Sequence, residues 1–226
     1  MNKFVDNFEL LKNQFPSVED SYGNCCVYHV EINIRRKDQP EWLSNVTRAN
    51  RIVHQTIIND GDELLKKKDS IIKLCEAFNA RAYIRPNPIS KREVLKKIAI
   101  SSIEMMDHVG DCKILNSVWS AFGTSFVKAH QRFIVDCDEF ESEKDVLDIL
   151  NIVREVKTKR NSKLNENSDV IVKTVNGFHL LTKPFDIGLF YSICEDRFVK
   201  KLDIHKNNPT VLYFKQQFSN PQKKQQ

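Results

Sequence analysis

Two aspartates one residue apart, Asp136 and Asp138, close the apolar run Phe133-Ile134-Val135. Phe, Ile and Val favour strands, and an unbroken apolar run of this length predicts a buried one. Side chains alternate faces along a strand, so the two carboxylates point the same way. Like charges on one face repel unless a cation sits between them, and carboxylate oxygens suit Mg2+ or Mn2+. The same residues also fit a strand running into an acidic loop. Two further polar positions follow in order. His179 comes just after Asn176-Gly177, with Lys173 and Thr174 on the strand before that turn, and Asp203 lies between Leu202 and Ile204.

The elements that must position these residues are written in the hydrophobic pattern. Residues 3–14 carry Phe4, Phe8, Leu11 and Phe15 at helical spacing. Cys25–Ile34 alternates as a half-buried strand, and Arg51–Ile58 reads as a second. Asn59-Asp60-Gly61-Asp62 is a turn that can cap the helix bearing Leu64, Ile71, Cys75 and Phe78. Tyr83-Ile84 ends a strand, and Pro86 and Pro88 hold an extended exit. Arg85, Lys91 and Arg92 flank this turn and Ser90 can cap the next helix, so the segment fits an anion site as well as an ordinary basic loop. Two helical segments, 91–108 and 111–129, lead to Phe133.

After the acids, Ser142-Glu143-Lys144-Asp145 resembles a capping box before a helix with Val146, Ile149, Leu150 and Val153 on one face. A polar loop over 157–168 carries Lys157, Lys159, Arg160 and Lys163. Val170–Val175 and Phe178–Thr182 form a hairpin about Asn176-Gly177. A helix near 187–193 and a last strand over 211–214 complete the pattern, and the polar tail 215–226 predicts disorder. From Phe133 onward the order strand, helix, hairpin, helix, strand outlines a ferredoxin-like or RNA-recognition-like sheet.

Composition sets outer limits. With 226 residues, 41% of them hydrophobic, the chain can build one large domain or one domain of two lobes. No apolar run reaches membrane-helix length and the N-terminus is no signal peptide, so a soluble, cytoplasmic protein is expected. The six cysteines form no C-x-x-C pair, which favours buried thiols over zinc. A net charge of +5 permits a phosphate-rich partner without requiring one.

Three motifs in this order resemble the archaeo-eukaryotic primase superfamily, nearest to the bifunctional primase-polymerases of plasmids and phages. They are the apolar strand Phe133–Asp138 with its D-x-D, the segment Thr174-Val175-Asn176-Gly177-Phe178-His179, and Leu202-Asp203-Ile204 followed by a polar turn and an apolar strand. Tyr83–Arg92 is similar to the Asn-Pro-Arg-type segment of those proteins, except that Ile89 stands where an arginine is expected. The resemblance covers roughly residues 80–214.

The resemblance implies a mixed α/β (α+β), two-lobed catalytic domain over 1–214. An N-terminal α/β lobe over 1–130 would join an RNA-recognition-like lobe over 131–214 with the metal site. It implies that Asp136, Asp138 and Asp203 hold two Mg2+ or Mn2+ ions. His179, Lys173, Thr174, Arg85 and Lys91 would bind the nucleotide, and Arg92, Lys157, Lys159, Arg160 and Lys163 the single-stranded DNA template. The activity implied is transfer of NTPs or dNTPs to a 3′-hydroxyl. The chain has no G-x-x-x-x-G-K-[ST] loop, so a helicase would be a separate partner. A non-catalytic nucleic-acid-binding protein of this fold, or a template-independent nucleotidyltransferase of a mobile element or defence system, stays open. So does the choice between Asp203 and Asp186 as third ligand. Pro184 ends strand pairing, which leaves Asp186 placed to cap a helix, so Asp203 is preferred.

Overall fold

The computed structural model describes residues 3–40, 51–105, 125–138, 140, 142–158, 169–195 and 202–217. Among these lie ten strands and six helices. The strands are β1 (Phe4–Asp6), β2 (Cys26–Ile34), β3 (Arg51–Ile58), β4 (Arg81–Ile84), β5 (Ile89–Ser90), β6 (Phe133–Asp138), β7 (Val170–Lys173), β8 (Gly177–Thr182), β9 (Asp203–His205) and β10 (Thr210–Lys215). The helices are α1 (Phe8–Lys12), α2 (Gly61–Lys66), α3 (Lys68–Phe78), α4 (Lys91–Met105), α5 (Glu143–Thr158) and α6 (Ile187–Glu195). The molecule is thus a mixed α/β fold, and among the described residues every strand pairing is antiparallel. No helix among the described residues is long and apolar enough to cross a membrane.

One sheet runs β1-β10-β4-β2-β3, with β5 also paired to β2; the other runs β7-β8-β6-β9. In the second sheet, alternation splits the faces. Phe133, Val135, Cys137 and Leu180 bury against Val146, Ile149, Leu150 and Val153 of α5 and Phe190 of α6. Each such side chain contributes about 1.5–3 kcal/mol by leaving water. The same pattern sends Ile134, Asp136 and Asp138 to the other face. There Ile134, Val172 and Leu181 join a core with Val30, Ile32, Ile84 and Leu212, which ties the two sheets together.

Three expectations change. The N-terminal segment does not form one helix. Phe4–Asp6 pairs with β10, and the Asn7 side chain donates to the carbonyls of Val211 (2.8 Å) and Lys173 (2.9 Å). Those pairings leave only Phe8–Lys12 helical, with Phe8 and Leu11 buried. Secondly, the strand bearing Val211 and Tyr213 does not lie beside β6. It inserts between β1 and β4, and β9 takes the place next to Asp136. The chain therefore returns to the first sheet at Thr210 rather than finishing in the second. Thirdly, Gln216 and Gln217 are held, their amides donating to Lys3 O and to Asn79 Oδ1 at 3.0 Å. The predicted helix over 111–129 lies mostly outside the described residues, as does the tail beyond 217. Of its described part, Lys128–His130 is a 3₁₀ turn.

Candidate functional site

Asp136 is the centre of a row across the second sheet. In register, it faces His179 on β8 and Asp203 on β9. Cross-strand partners share a face at about 4.5–5.5 Å between Cα atoms. Leu202 and Ile204 pack toward the helices, and Asp203 between them is exposed. His205, two residues on, returns to the Asp203 face, and its Nε2 lies 3.9 Å from Asp136 Oδ2. His179 Nε2 lies 3.8 Å from Asp136 Oδ1. The other His179 nitrogen, Nδ1, is 2.9 Å from Thr210 Oγ1. Burial pushes the His179 imidazole below its ordinary pKa, against the opposing pull of Asp136 and Asp138.

Asp138 sits at the hairpin end. Thr174 Oγ1 is 3.4 Å from Asp138 Oδ1 and accepts from the amides of Asn176 (3.3 Å) and Gly177 (3.0 Å). The turn centres on Val175-Asn176, with Thr174 N donating to Gly177 O at 2.9 Å. Gly177 is not in the left-handed region; among the described residues only Asn79 and Gly23 have positive φ. Its role is close approach, since a Cβ there would lie 2.4 Å from Cys137 O. That contact lets the hairpin press against β6.

Opposite this row stands the first sheet. A cleft of about 350 Å³ is lined on one side by Asp136, Asp138, His179 and His205, and on the other by Glu31, Asn33, Arg35, Lys37, Arg81 and Tyr83. Glu31, Asn33 and Arg35 alternate along β2 and its exit, and Arg81 and Tyr83 along β4, so each group shares a face. The charges on this wall are partly matched. Arg81 grips Asp38 through two hydrogen bonds of 2.6 and 2.5 Å and lies over the Phe214 ring at 4.9 Å. Glu31 accepts from Asn33 at 3.0 Å and has Arg85 3.9 Å away. Arg35 donates to the Tyr83 hydroxyl at 3.1 Å, and among the described residues neither Arg35 nor Lys37 has a carboxylate within ion-pair distance. Burial lowers the pKa of Lys37, and Arg35 and Arg81 push the same way.

The other predicted residues are placed elsewhere. Lys173 pairs with Phe178, not with His179, and so occupies the opposite face of the sheet. Strand alternation alone carries that information, because Lys173 must face away from its neighbour Thr174. Arg85 and Lys91 do not line the cleft. Arg85 braces the turn before β10, Nη1 donating to Asn207 O at 2.9 Å, while Lys91 reaches Asn59 Oδ1 at 3.1 Å. Arg92 stacks over Tyr22 at 4.0 Å. Lys157 is half-buried, bonded to Asp169 Oδ1 at 2.7 Å and to Thr182 Oγ1. That pairing fastens the end of α5 to the sheet and takes Lys157 out of any template surface. Lys159, Arg160 and Lys163 lie outside the described residues. Asp186 is a helix cap, as expected, accepting from the amides of Gly188 (3.1 Å) and Leu189 (3.2 Å).

The sequence pattern does not single out His205, which falls where a polar turn is expected, or the Arg35, Lys37 and Tyr83 wall. Asp203-Ile204-His205 did carry a signal, since a strand through Asp203 puts His205 on the same face. Among the described residues no three His, Cys, Asp or Glu side chains, as placed, converge on a common ion position. The donor chemistry is nonetheless that of a hard cation: carboxylate oxygens on one face at the edge of a polar cleft. No family model, no curated protein and no solved structure matches this chain.

Proposed function

We propose that the protein is a metal-dependent nucleotidyltransferase of the primase-polymerase type, adding nucleoside triphosphates to a 3′-hydroxyl on a single-stranded template. The observation that carries this reading is the polarity of the cleft. Carboxylates occupy one wall, and Arg35 and Lys37, without carboxylate partners among the described residues, face them from the other. A ligand that is both polyanionic and metal-bearing complements such a cleft. A metal-bound nucleoside triphosphate has that character. The order β7-β8-β6-β9 with a β-α-β-β-α-β succession is that of a ferredoxin-like or RNA-recognition-like sheet, which agrees with the catalytic half of a two-lobed primase core.

In this reading Asp136, Asp138 and Asp203 hold Mg2+ or Mn2+, which when bound stabilises charge on the attacking and leaving oxygens. Arg35 and Lys37 bind phosphate oxygens and orient them toward the acid row. Thr174 fixes the hairpin against Asp138. The Arg81–Asp38 pair keeps the basic wall in place.

The test is incubation of the protein with labelled NTPs or dNTPs, Mn2+ or Mg2+, and single-stranded templates with and without a primer. Extension of the primer, or new short products, is expected. Asp136→Asn with Asp138→Asn should lower transfer by roughly a thousandfold while the melting temperature holds or rises, as like-charge repulsion is relieved. Undiminished transfer in that double variant refutes the reading.

A further inference from the structure

We infer that Glu31 receives the 2′-hydroxyl of the bound nucleotide and is the residue on which discrimination between ribose and deoxyribose depends, in favour of ribose. The inference rests on the nucleotidyltransferase reading and concerns a part of the cleft that suits neither phosphate nor metal.

Among the first-sheet residues that line the cleft, Glu31 alone carries a carboxylate. Its side chain is 10% exposed. The Asn33 amide fixes Oε1 at 3.0 Å, whereas Arg85 Nη2 stands 3.9 Å from Oε2, beyond hydrogen-bond distance. Asn33 Oδ1 is itself buried, with no hydrogen-bond partner among the described residues. Acceptors therefore outnumber donors at this point of the wall. A ligand group that brings a proton to Oε2 gains a charge-assisted hydrogen bond there.

Charge decides which group that is. A phosphate is repelled by a carboxylate, and a further cation is disfavoured because Arg85 already supplies positive charge beside Oε2. A neutral donor remains. In a nucleoside triphosphate the neutral donors common to all four bases are the sugar hydroxyls, and an acidic side chain accepting from a ribose 2′-hydroxyl is an established form of nucleotide recognition. Position agrees with chemistry. Arg35 follows Glu31 by four residues of extended backbone, on the same face, which sets the two about 13 Å apart along the strand. Phosphates held by Arg35 and Lys37 then leave the sugar to extend toward Glu31. The Glu31 end is also braced, since Arg85 Nη1 donates to Asn207 O at 2.9 Å. A side chain held on one oxygen and open on the other is suited to reading a substrate.

The experiment compares kcat/KM for NTPs and dNTPs, with Mn2+ and with each of the four bases. The wild-type protein should favour the ribonucleotide about tenfold to a hundredfold whatever the base, the size of one hydrogen bond to a charged group. A 2′-amino nucleotide, which still donates, should behave as the NTP does, and a 2′-fluoro nucleotide, which cannot donate, as the dNTP does. Glu31→Ala should bring the NTP-to-dNTP ratio close to unity, and Glu31→Gln, which keeps a neutral acceptor, should give an intermediate ratio. If Glu31 serves only as a counter-ion for Arg85, Glu31→Ala lowers the melting temperature and reduces both substrates alike, and an unchanged ratio overturns the inference. So does a wild-type protein that uses both sugars equally or prefers deoxyribose, or a preference that follows the base. Should Glu31→Ala fail to fold, Glu31→Gln and the 2′-substituted nucleotides on the wild-type protein decide the same point. A wild-type protein that transfers neither NTPs nor dNTPs refutes the functional reading itself, a result distinct from transfer without sugar preference.

Discussion

The two walls of the cleft hold their charges in different ways. On the first sheet, charge is tied into the fold. Arg81 and Asp38 form a buried bidentate pair, with side chains only 4% and 8% exposed, under the Phe214 ring. Glu31 is matched by Asn33 and Arg85. On the second sheet, Asp136 accepts from the Asp138 amide at 3.0 Å and has two histidines near it. Among the described residues no lysine or arginine forms an ion pair with Asp136 or Asp138. Charge on the basic wall is therefore partly structural, whereas among the described residues the acids of the other wall have beside them only histidines, a backbone amide and a threonine hydroxyl. Removing the first kind should cost stability, and removing the second kind should cost only function.

The largest effect on folding is expected at Asp38. Asp38→Ala leaves the Arg81 guanidinium buried without its partner and should destabilise by about 3–5 kcal/mol. Replacing both, Asp38→Leu with Arg81→Met, should restore most of that loss in urea unfolding. A loss below about 1 kcal/mol in Asp38→Ala would mean that the basic wall is no more structural than the acid one.

Next in size is a pH effect at the inner end of the basic wall. His29, on β2 two residues before Glu31, is 2% exposed, and burial with the nearby Arg85 charge pushes its pKa from 6.5 down to about 4. A depressed pKa means that the folded state refuses a proton the unfolded chain accepts. The His29 contribution is intact above pH 6.5, erodes as pH falls toward 4, and is constant below. Between pH 7 and pH 5 that erosion amounts to about 2 kcal/mol. His29→Gln should show a visibly smaller stability loss over the same interval, and an equal loss would place the acid sensitivity elsewhere.

Arg35 and Lys37 test the part of the basic wall that is not structural. Each change to Ala should raise the nucleotide Kd about tenfold, the double variant more, with little change in unfolding free energy. Unchanged affinity would remove the complementarity on which the comparison stands. The smallest effect is expected at Asp186. Asp186→Ala should cost about 1 kcal/mol through the lost cap of α6 and leave metal-dependent transfer intact, whereas Asp203→Asn should abolish transfer without that cost.

Much of the second sheet could be read directly from the chain. The alternation in Phe133–Asp138, the capping residues Ser142 and Asp186, and the apolar stripe of α5 are local. Strand pleating and helix periodicity act over a few residues, so hydrophobic pattern alone dictates which side chains share a face. The same rule put Asp136 and Asp138 together and assigned Asp186 to a helix rather than to the acid row. Read more strictly, it would have excluded Lys173 and admitted His205. What the sequence could not determine was partnership. Val211–Phe214 is as apolar as any strand of the second sheet, and only competition for hydrogen-bonding edges sends it between β1 and β4. Asp38 and Arg81 are 43 residues apart, and Arg35 meets Tyr83 across 48. Such contacts depend on sheet order and register, which arise from long-range burial and leave no periodic trace in the chain. The acid row is thus a property of short segments. The cleft and its basic wall exist only because tertiary structure brings a second sheet to face it.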